Sequence, residues 1–317
     1  MICYLGLGAN LGDKKKNLYA ALEQIKKIRG VKLLRISSFY ETAAWGVTNQ
    51  PNFINAAVKI FSEIEPLALL DELQRIEKNL GRVRKEHWGA RTIDIDILLI
   101  DDLKINCERL TVPHKFLYAR DFVLVPLSEI LPTLEFKLHG DEVKKIAGSP
   151  ADFNLKAVAC VDKNFGIGYK NNLLFKIPDD LKNFRALTLN NVVIYGRKTL
   201  ETLPNCQPLP SRRNIILSKT LKKIPNAEIV SSIENLWEIL RVEDKNFVIG
   251  GAEIFEELLP YTNEIFLTAV DAEKPADKFF PQFEEFKIVE SKILNSAERS
   301  FANEICIVEC KWFTRLP

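Results

Sequence analysis

Gly148-Ser149-Pro150-Ala151-Asp152 lies near the middle of the chain, and Leu155-Lys156-Ala157-Val158-Ala159-Cys160-Val161 comes two residues later. The first run is small and turn-forming. The second is a fresh strand that stops at the turn Asp162-Lys163-Asn164. A break followed by a new strand predicts a domain boundary, with one domain over residues 1–152 and another over 153–317. Length supports the division, because the chain has 317 residues and a single hydrophobic core rarely serves more than ~250–300. Apolar residues at 47% and charged residues at 27% match an ordinary globular protein and disfavour disorder, collagen-like repeats and a disulfide-dense scaffold.

Charge and cysteine usage narrow the function classes. Lysine and arginine total 44 against 42 acidic residues, a net of +2, without the basic excess of a duplex-binding protein, so nucleic acid is not expected as a partner. The apolar run around Ile97–Ile100 is interrupted by Asp94, Asp96 and Asp101, far short of the ~20 residues that span a bilayer, so no membrane partner is expected. Met1-Ile2-Cys3-Tyr4-Leu5 has no basic stretch before it and reads as a strand rather than a signal peptide. Six cysteines and three histidines, without a CxxC pair, are too scattered for a zinc site and fit reduced thiols in a cytoplasmic protein. Cys306 and Cys310, two alternations apart, are expected on one face of a strand as core thiols.

Moving toward the N-terminus, Ile2–Leu7 reads as a strand, and Leu18, Ala21, Leu22, Ile25 and Ile28 fall at helical spacing. Val31–Tyr40 and Phe53–Phe61 read as strands. Leu67, Leu70, Leu73, Ile76 and Leu80 mark a second helix closed by Gly81, and Thr92–Ile100 is a strand. Strand-helix-strand-strand-helix-strand is the split βαβ order of a ferredoxin-like α+β domain.

The chemistry of this half concentrates in Thr92-Ile93-Asp94-Ile95-Asp96-Ile97-Leu98. Alternation on a strand sends Asp94 and Asp96 to one side and the isoleucines to the core. The pair reads either as a magnesium site, completed by substrate phosphates, or as the solvated face of an edge strand. Arg82, Arg84, Lys85, His87 and Arg91 just upstream, with Arg109, His114 and Arg120 beyond, favour phosphoryl transfer, since arginine forks match phosphate oxygens. Trp88 in the same loop could cover a ring. Gly6-Leu7-Gly8-Ala9-Asn10-Leu11-Gly12 imitates a dinucleotide fingerprint. Its third glycine falls one position late, and no acid closes the next strand before Glu41, so NAD binding is discounted.

His87-Trp88-Gly89-Ala90-Arg91-Thr92-Ile93-Asp94-Ile95-Asp96-Ile97-Leu98 closely resembles the signature of the 6-hydroxymethyl-7,8-dihydropterin pyrophosphokinases. The resemblance extends through Gly6–Gly12, Ser37-Ser38-Phe39-Tyr40-Glu41-Thr42, Gln50–Val58 and Arg109-Leu110-Thr111-Val112-Pro113-His114, covering roughly the first 150 residues. It implies transfer of the β,γ-diphosphate of ATP to the pterin hydroxymethyl group, with release of AMP. By that resemblance Asp94 and Asp96 hold two Mg2+ ions, and Arg82 and Arg91 close over the phosphates. Gln74, Glu77, Arg84, Trp88, Arg109, Thr111, His114 and Arg120 fall on the ATP side. Thr42, Trp45, Phe53, Asn55 and Phe122 fall around the pterin, where flat rings sandwich a flat ring and Asn55 offers a donor and an acceptor. Ala43-Ala44 replaces a frequent proline, and Lys115 stands where an aromatic can occur.

Toward the C-terminus, strands Asn191–Tyr195, Asn214–Leu217 and Phe247–Ile249 alternate with short helices, predicting an α/β domain with a mostly parallel central sheet. Phe175–Phe184 reads as a helix start, with Pro178, Asp179 and Asp180 in the first turn. Asp180 lies beside an apolar stripe of Ile177, Leu181 and Phe184. A carboxylate facing such a stripe suits a guanidine-like edge. Two strand-Gly-helix turns, Tyr195-Gly196-Arg197-Lys198-Thr199 and Ile249-Gly250-Gly251-Ala252, suggest cradles for a phosphorylated dinucleotide.

The order Ala159-Cys160, Gly166-Ile167-Gly168, Ile177-Pro178-Asp179-Asp180-Leu181, Gly196-Arg197-Lys198-Thr199, Leu209–Asn214 and Ile249-Gly250-Gly251 looks like dihydrofolate reductase, over about residues 154–313. It implies NADPH as hydride donor and dihydrofolate as substrate. Val158, Cys160, Asp180, Phe184, Arg212 and Thr268 are then placed on folate. Ala159, Ile167, Gly196, Arg197, Lys198, Thr199, Ser218, Gly250, Gly251 and Ala252 are placed on the cofactor. Phe175 and Leu174 replace tryptophan and proline, and Phe255 replaces a tyrosine. Those swaps predict a working reductase with altered rate or pH dependence. Two rival readings are a non-catalytic pterin-binding half and a reductase for another pterin or a pyrimidine.

Overall fold

The computed structural model describes residues 1–46, 49–82, 89–294, 298–299 and 305–316. It divides into two compact units, Met1–Asp152 and Phe153–Leu316.

In the first unit the chain runs β1 (Ile2–Ala9), α1 (Lys14–Ile25), β2 (Val31–Ile36), β3 (Tyr40–Thr42), β4 (Phe53–Ser62), α2 (Pro66–Asn79) and β5 (Asp94–Ile100). A short ribbon, β6 (Ile105–Asn106) and β7 (Thr111–Val112), precedes α3 (Asp121–Ile130) and β8 (Val143–Lys145). The antiparallel sheet is ordered β5-β1-β4-β3-β8, and β2 also pairs with β4. Asp13 caps α1, its carboxylate accepting from Lys16 N–H at 3.0 Å, a bond worth ~1 kcal/mol. Pro66 opens α2, where its missing N–H costs nothing. That helix buries Leu69, Leu70, Leu73 and Ile76 along one face, each contributing roughly 1.5–3 kcal/mol by leaving water. Gly81 follows at φ +81°, the left-handed conformation that ends a helix without steric cost. Tyr4, Ala57 and Leu98 from the sheet meet Leu117, Leu127 and Ile130 around α3 in one core cluster.

One expected strand is two. Val31–Tyr40 breaks at Ser37–Phe39, because serine side chains take over the ladder there. Ser37 Oγ accepts from Ala57 N–H at 2.9 Å and donates to Ser38 O at 2.7 Å, while Ser38 N–H donates to Glu129. This local competition with sheet pairing is typical of serine. The chain then rejoins β4 as β3, with Tyr40 opposite Asn55.

In the second unit the elements are β9 (Leu155–Val161), β10 (Gly166–Tyr169), β11 (Asn172–Leu173), α4 (Pro178–Thr188), β12 (Val192–Gly196), α5 (Arg197–Thr202), β13 (Arg213–Leu217), β14 (Ala227–Val230) and α6 (Ile233–Ile239). They continue with β15 (Asn246–Gly250), α7 (Ala252–Leu258), β16 (Thr262–Val270), β17 (Lys278–Phe279), β18 (Phe286–Ile293), β19 (Glu298–Arg299), β20 (Ile305–Cys306) and β21 (Val308–Arg315). The main sheet is ordered β14-β13-β12-β15-β9-β16-β21-β18. Pairing is parallel from β14 to β16 and antiparallel for β21 and β18, so the sheet is mixed with mostly parallel strands. Val158, Val193, Tyr195, Ile216 and Phe247 make its central core, the continuous β-branched and aromatic filling of strands covered on both faces.

Two expectations change here. Leu181 is 48% exposed, so the apolar residues beside Asp180 reduce to Ile177, just before α4, and Phe184 on it. Cys306 and Cys310 belong to different strands, because the chain leaves the ladder at Ile307 between β20 and β21. The assumption of one continuous strand fails with that break.

Candidate functional sites

The first site grows from a row of three residues across β4, β1 and β5. Gly8 lies opposite Asn55 on one side and Asp94 on the other. Gly6 likewise lies between Ala57 and Asp96. An added Cβ at Gly8 would stand 2.8 Å from Asn55 Oδ1, so only glycine leaves this floor open. The motif that imitates a dinucleotide fingerprint is therefore the bottom of a cleft. The cleft, of about 230 Å³, is lined by Thr42, Trp45, Phe53, Asn55, Arg82, Arg91, Asp94, Asp96, His114, Arg120 and Phe122. Eleven predicted residues from four separate stretches of sequence are thus brought together.

Opposed charges organise the cleft. Asp94 is ion-paired to both Arg82 and Arg91. Arg82 also meets Glu77, whose Oε1 accepts from Ile95 N–H at 2.7 Å, so α2 braces β5 beside the carboxylates. Burial pushes the Glu77 carboxyl above its usual range, against the pull of Arg82. Asp96 is also raised, by burial first and then by the Asp94 charge. Burial, with the Arg120 charge, holds the His114 imidazole down to about 4. Its Nδ1 accepts from Phe116 N–H at 3.3 Å, as a neutral ring does. Across the row from Asp94, Asn55 Nδ2 donates to Thr42 Oγ1 at 2.8 Å, which orients the amide.

Other predicted residues lie off the cleft wall. Gln74 is exposed on α2, and Thr111 starts β7. Arg109 is exposed and paired with Asp71. Arg84 and Trp88, with Lys85 and His87, fall outside the described residues. Phe116, which also lines the cleft, was missed by sequence reasoning. The only hint was the missing aromatic one position earlier, at Lys115.

Among the described residues no group of three or more His, Cys, Asp or Glu converges. Two carboxylates on one strand face, held among arginines, fit a hard cation that takes its remaining ligands from phosphate and water.

The second site centres on Asp180 in the first turn of α4. Thr268 on β16 donates to Asp180 Oδ1 at 2.5 Å. Burial raises the Asp180 carboxyl, and the Thr268 hydrogen bond partly opposes it. Thr268 lies in register between Cys160 on β9 and Cys310 on β21. Cys310 Sγ is 3.5 Å from both Thr268 Oγ1 and Asn183 Nδ2, so this thiol belongs to the site's polar surroundings, not to a plain core. Phe184 packs near Val158. Phe175 is buried, with Lys274 Nζ 4.1 Å from its ring centre, and Phe255 packs on Phe280 at 4.8 Å. Both positions thus hold a buried aromatic ring.

Arg212 is held from two sides. Its Nε donates to Thr188 Oγ1 at 2.9 Å and one terminal nitrogen to Pro210 O at 2.7 Å. Asn214 pins the loop below it, accepting from Leu209 N–H and from the buried Tyr195 hydroxyl, each at 2.9 Å.

Gly196 and Gly250 end adjacent parallel strands, with Tyr195 opposite Gly250. Ligands bind at such carboxyl ends of a sheet. The Gly250–Gly251 peptide is cis. A Cβ at Gly196 would press to 3.1 Å from Ile254, and Gly250 holds φ +118°, so both strand ends call for glycine, while a Cβ at Gly251 would make ordinary contact with Thr199 Oγ1 at 3.5 Å. Arg197 and Lys198 follow Gly196, paired with Glu201 and Glu253. Ser218 on the neighbouring turn accepts from Leu221 N–H at 3.1 Å, and Ala159, Ile167, Thr199 and Ala252 are each partly exposed. Glycine cradle plus cations fits a phosphorylated dinucleotide.

Comparison with known proteins follows the same division. The family model for 7,8-dihydro-6-hydroxymethylpterin-pyrophosphokinase matches residues 4–132, and that for dihydrofolate reductase matches residues 154–309. The 2-amino-4-hydroxy-6-hydroxymethyldihydropteridine pyrophosphokinase of Haemophilus influenzae is 48% identical over 131 residues, 41% of this chain and 82% of that protein. The enzyme of the same name from Aquifex aeolicus is 38% identical over 160 residues, 50% of this chain and 97% of that protein. Bifunctional protein FolKE of Lactococcus lactis is 40% identical over 144 residues, 45% of this chain and 41% of its own length. Through its first unit the chain belongs to the 7,8-dihydro-6-hydroxymethylpterin-pyrophosphokinase family, and its second unit carries a dihydrofolate reductase domain.

Proposed function

We propose that residues 1–152 form a pyrophosphokinase domain of ferredoxin-like topology and residues 153–317 an NADPH-dependent dihydrofolate reductase domain. The chain is then a bifunctional enzyme of folate biosynthesis. The observation that carries this reading is the Asn55–Gly8–Asp94 row, which sets a planar-ring slot beside a carboxylate and arginine cluster.

In the first site Asn55 and Thr42 orient the edge of 6-hydroxymethyl-7,8-dihydropterin, and Trp45, Phe53 and Phe122 cover its faces. Asp94 and Asp96 hold two Mg2+ ions, which when bound neutralise charge on the ATP phosphates. Arg82 and Arg91 leave Asp94 to take the transferred diphosphate, and Arg120 and neutral His114 contact the remaining oxygens. Gln74, Glu77, Arg84, Trp88, Arg109 and Thr111 lie toward the nucleotide. Phosphoryl transfer of this kind rests on positioning and electrostatic stabilisation.

In the second site Asp180, fixed by Thr268, grips the amidine edge of dihydrofolate and favours protonation of the ring. Val158, Cys160 and Phe184 line that ring, and Arg212 pairs with the glutamate carboxylate. Gly196, Arg197, Lys198, Thr199, Ser218, Gly250, Gly251 and Ala252, with Ala159 and Ile167, hold NADPH, which when bound supplies the hydride. No helix among the described residues is long and apolar enough to cross a membrane. ATP, NADPH and small pterins as substrates suit a cytoplasmic enzyme.

Two assays on the full chain test the reading. AMP is expected to form from ATP, Mg2+ and the hydroxymethyl pterin, and NADPH oxidation is expected to depend on dihydrofolate. NADPH binding without turnover would make the second unit a binding module. Equal turnover of a tail-less dihydropterin would remove the glutamate-binding role of Arg212.

A further inference from the structure

Phe116 is an aromatic wall of the first cleft that no motif assigns. Its ring centre lies 4.6 Å from Arg120 Cζ, and the Trp45 ring centre lies at the same 4.6 Å. The two rings are 5.9 Å apart and tilted by 51°. Arg120 is therefore gripped by two π-faces at once, with Phe122 farther off at 5.5 Å. The grip matters because Arg120 is only 9% exposed and its Nε is buried without a hydrogen-bond partner. A guanidinium stripped of water is costly, and ring quadrupoles replace part of the lost solvation.

Geometry gives the grip a direction. Arg120 lines the same cleft as Asp94, Asp96 and Arg91, so their charges act on it. One guanidinium N–H of Arg120 is buried without a partner, and the residue lines the same cleft as Asp94 and Asp96, where an arriving phosphate would meet the guanidinium. Phe116 is tied into the site, since its own N–H donates to His114 Nδ1. Lys115 Nζ lies 4.7 Å from the Phe116 ring centre, which brings a second cation to the same ring.

We propose that Phe116 is a positioning residue for diphosphate transfer. Together with Trp45 it clamps Arg120 so that the guanidinium is already set toward the nucleotide phosphates. This rests on the pyrophosphokinase reading of the first unit, and Phe116 acts only through Arg120.

The test uses the full chain with Phe116→Leu, Phe116→Tyr, Arg120→Lys and the Phe116→Leu/Arg120→Lys double variant. Binding of a non-hydrolysable ATP analogue with Mg2+ is measured by titration calorimetry beside kcat/KM for diphosphate transfer. Loss of one π-face is expected to weaken analogue binding about 5- to 30-fold in Phe116→Leu. Phe116→Tyr is expected to restore it to within about twofold. Losses in the double variant are expected to fall short of additive, because both substitutions disable one device. Wild-type affinity in Phe116→Leu, tighter binding, failure of the tyrosine rescue, or strict additivity would each overturn the proposal. Absence of diphosphate transfer in the wild type would instead overturn the reading beneath it.

Discussion

Replacing Asp180 by Asn separates what this carboxylate does for catalysis from what it does for stability. Asparagine keeps the shape and still accepts from the Thr268 hydroxyl, now 2.5 Å from Asp180 Oδ1, but it removes the charge. A hydrogen bond between ionised partners contributes ~1.5–3 kcal/mol, or roughly 10- to 150-fold in substrate affinity. Lost assistance to proton transfer removes a further ~10²–10⁴ in rate. Together these predict a fall in kcat/KM for dihydrofolate of at least ~10³, followed by NADPH absorbance. Direct titration should show NADPH affinity unchanged within about twofold. Stability should move the other way. Burial raises the Asp180 carboxyl above its unfolded value, so its contribution is fully present below the unfolded value and is lost as pH rises through the folded one. Above the folded value the buried charge is therefore a cost that Asn relieves. The denaturation midpoint of the second unit should be equal or higher at pH 7, with no gain near pH 4. A fall in kcat/KM under about tenfold, or a midpoint clearly lowered at pH 7, would refute the assignment of Asp180 as a buried functional carboxylate.

Other expectations concern the first unit. Asp121, only 1% exposed, accepts from the backbone N–H of His139, Gly140 and Asp141 and meets the His139 ring. Asp121→Ala should cost about 3 kcal/mol by orphaning those donors, and diphosphate transfer should weaken because Arg120 and Phe122 flank it; urea unfolding and AMP formation check both. These hydrogen bonds hold the Asp121 carboxyl low, so its stabilisation should persist above the ordinary aspartate range and fade as pH falls through the folded value. Gly8→Ala drives a methyl to 2.8 Å from Asn55 Oδ1. It should raise the pterin KM several-fold while leaving dihydrofolate-dependent NADPH oxidation untouched.

Much of both sites could be read along the chain where chemistry and secondary structure share a period. Asp94 and Asp96 share a face because strands alternate, whatever surrounds them. The turns at Gly196 and Gly250-Gly251 declare themselves because glycine marks strand ends. What failed did so through contacts distant in sequence. Val31–Tyr40 looks uniformly strand-like, yet Ser37 and Ser38 find Ala57 and Glu129 and break it. Leu181 fits a helical stripe by spacing but is left 48% exposed.

Residue order alone determined the two-unit division of labour, the carboxylate pair, the buried aspartate and the family resemblances, because each is carried by local spacing. Spacing already argued against a dinucleotide at Gly6–Gly12, but only the tertiary structure decided that Gly6 and Gly8 floor a cleft. Cross-strand register, not sequence distance, places Gly8 between Asn55 and Asp94. It likewise decided that Phe116 packs on Arg120 and that Cys310 meets Thr268, since cation–π and thiol contacts depend on where separate elements meet and leave no period in the chain.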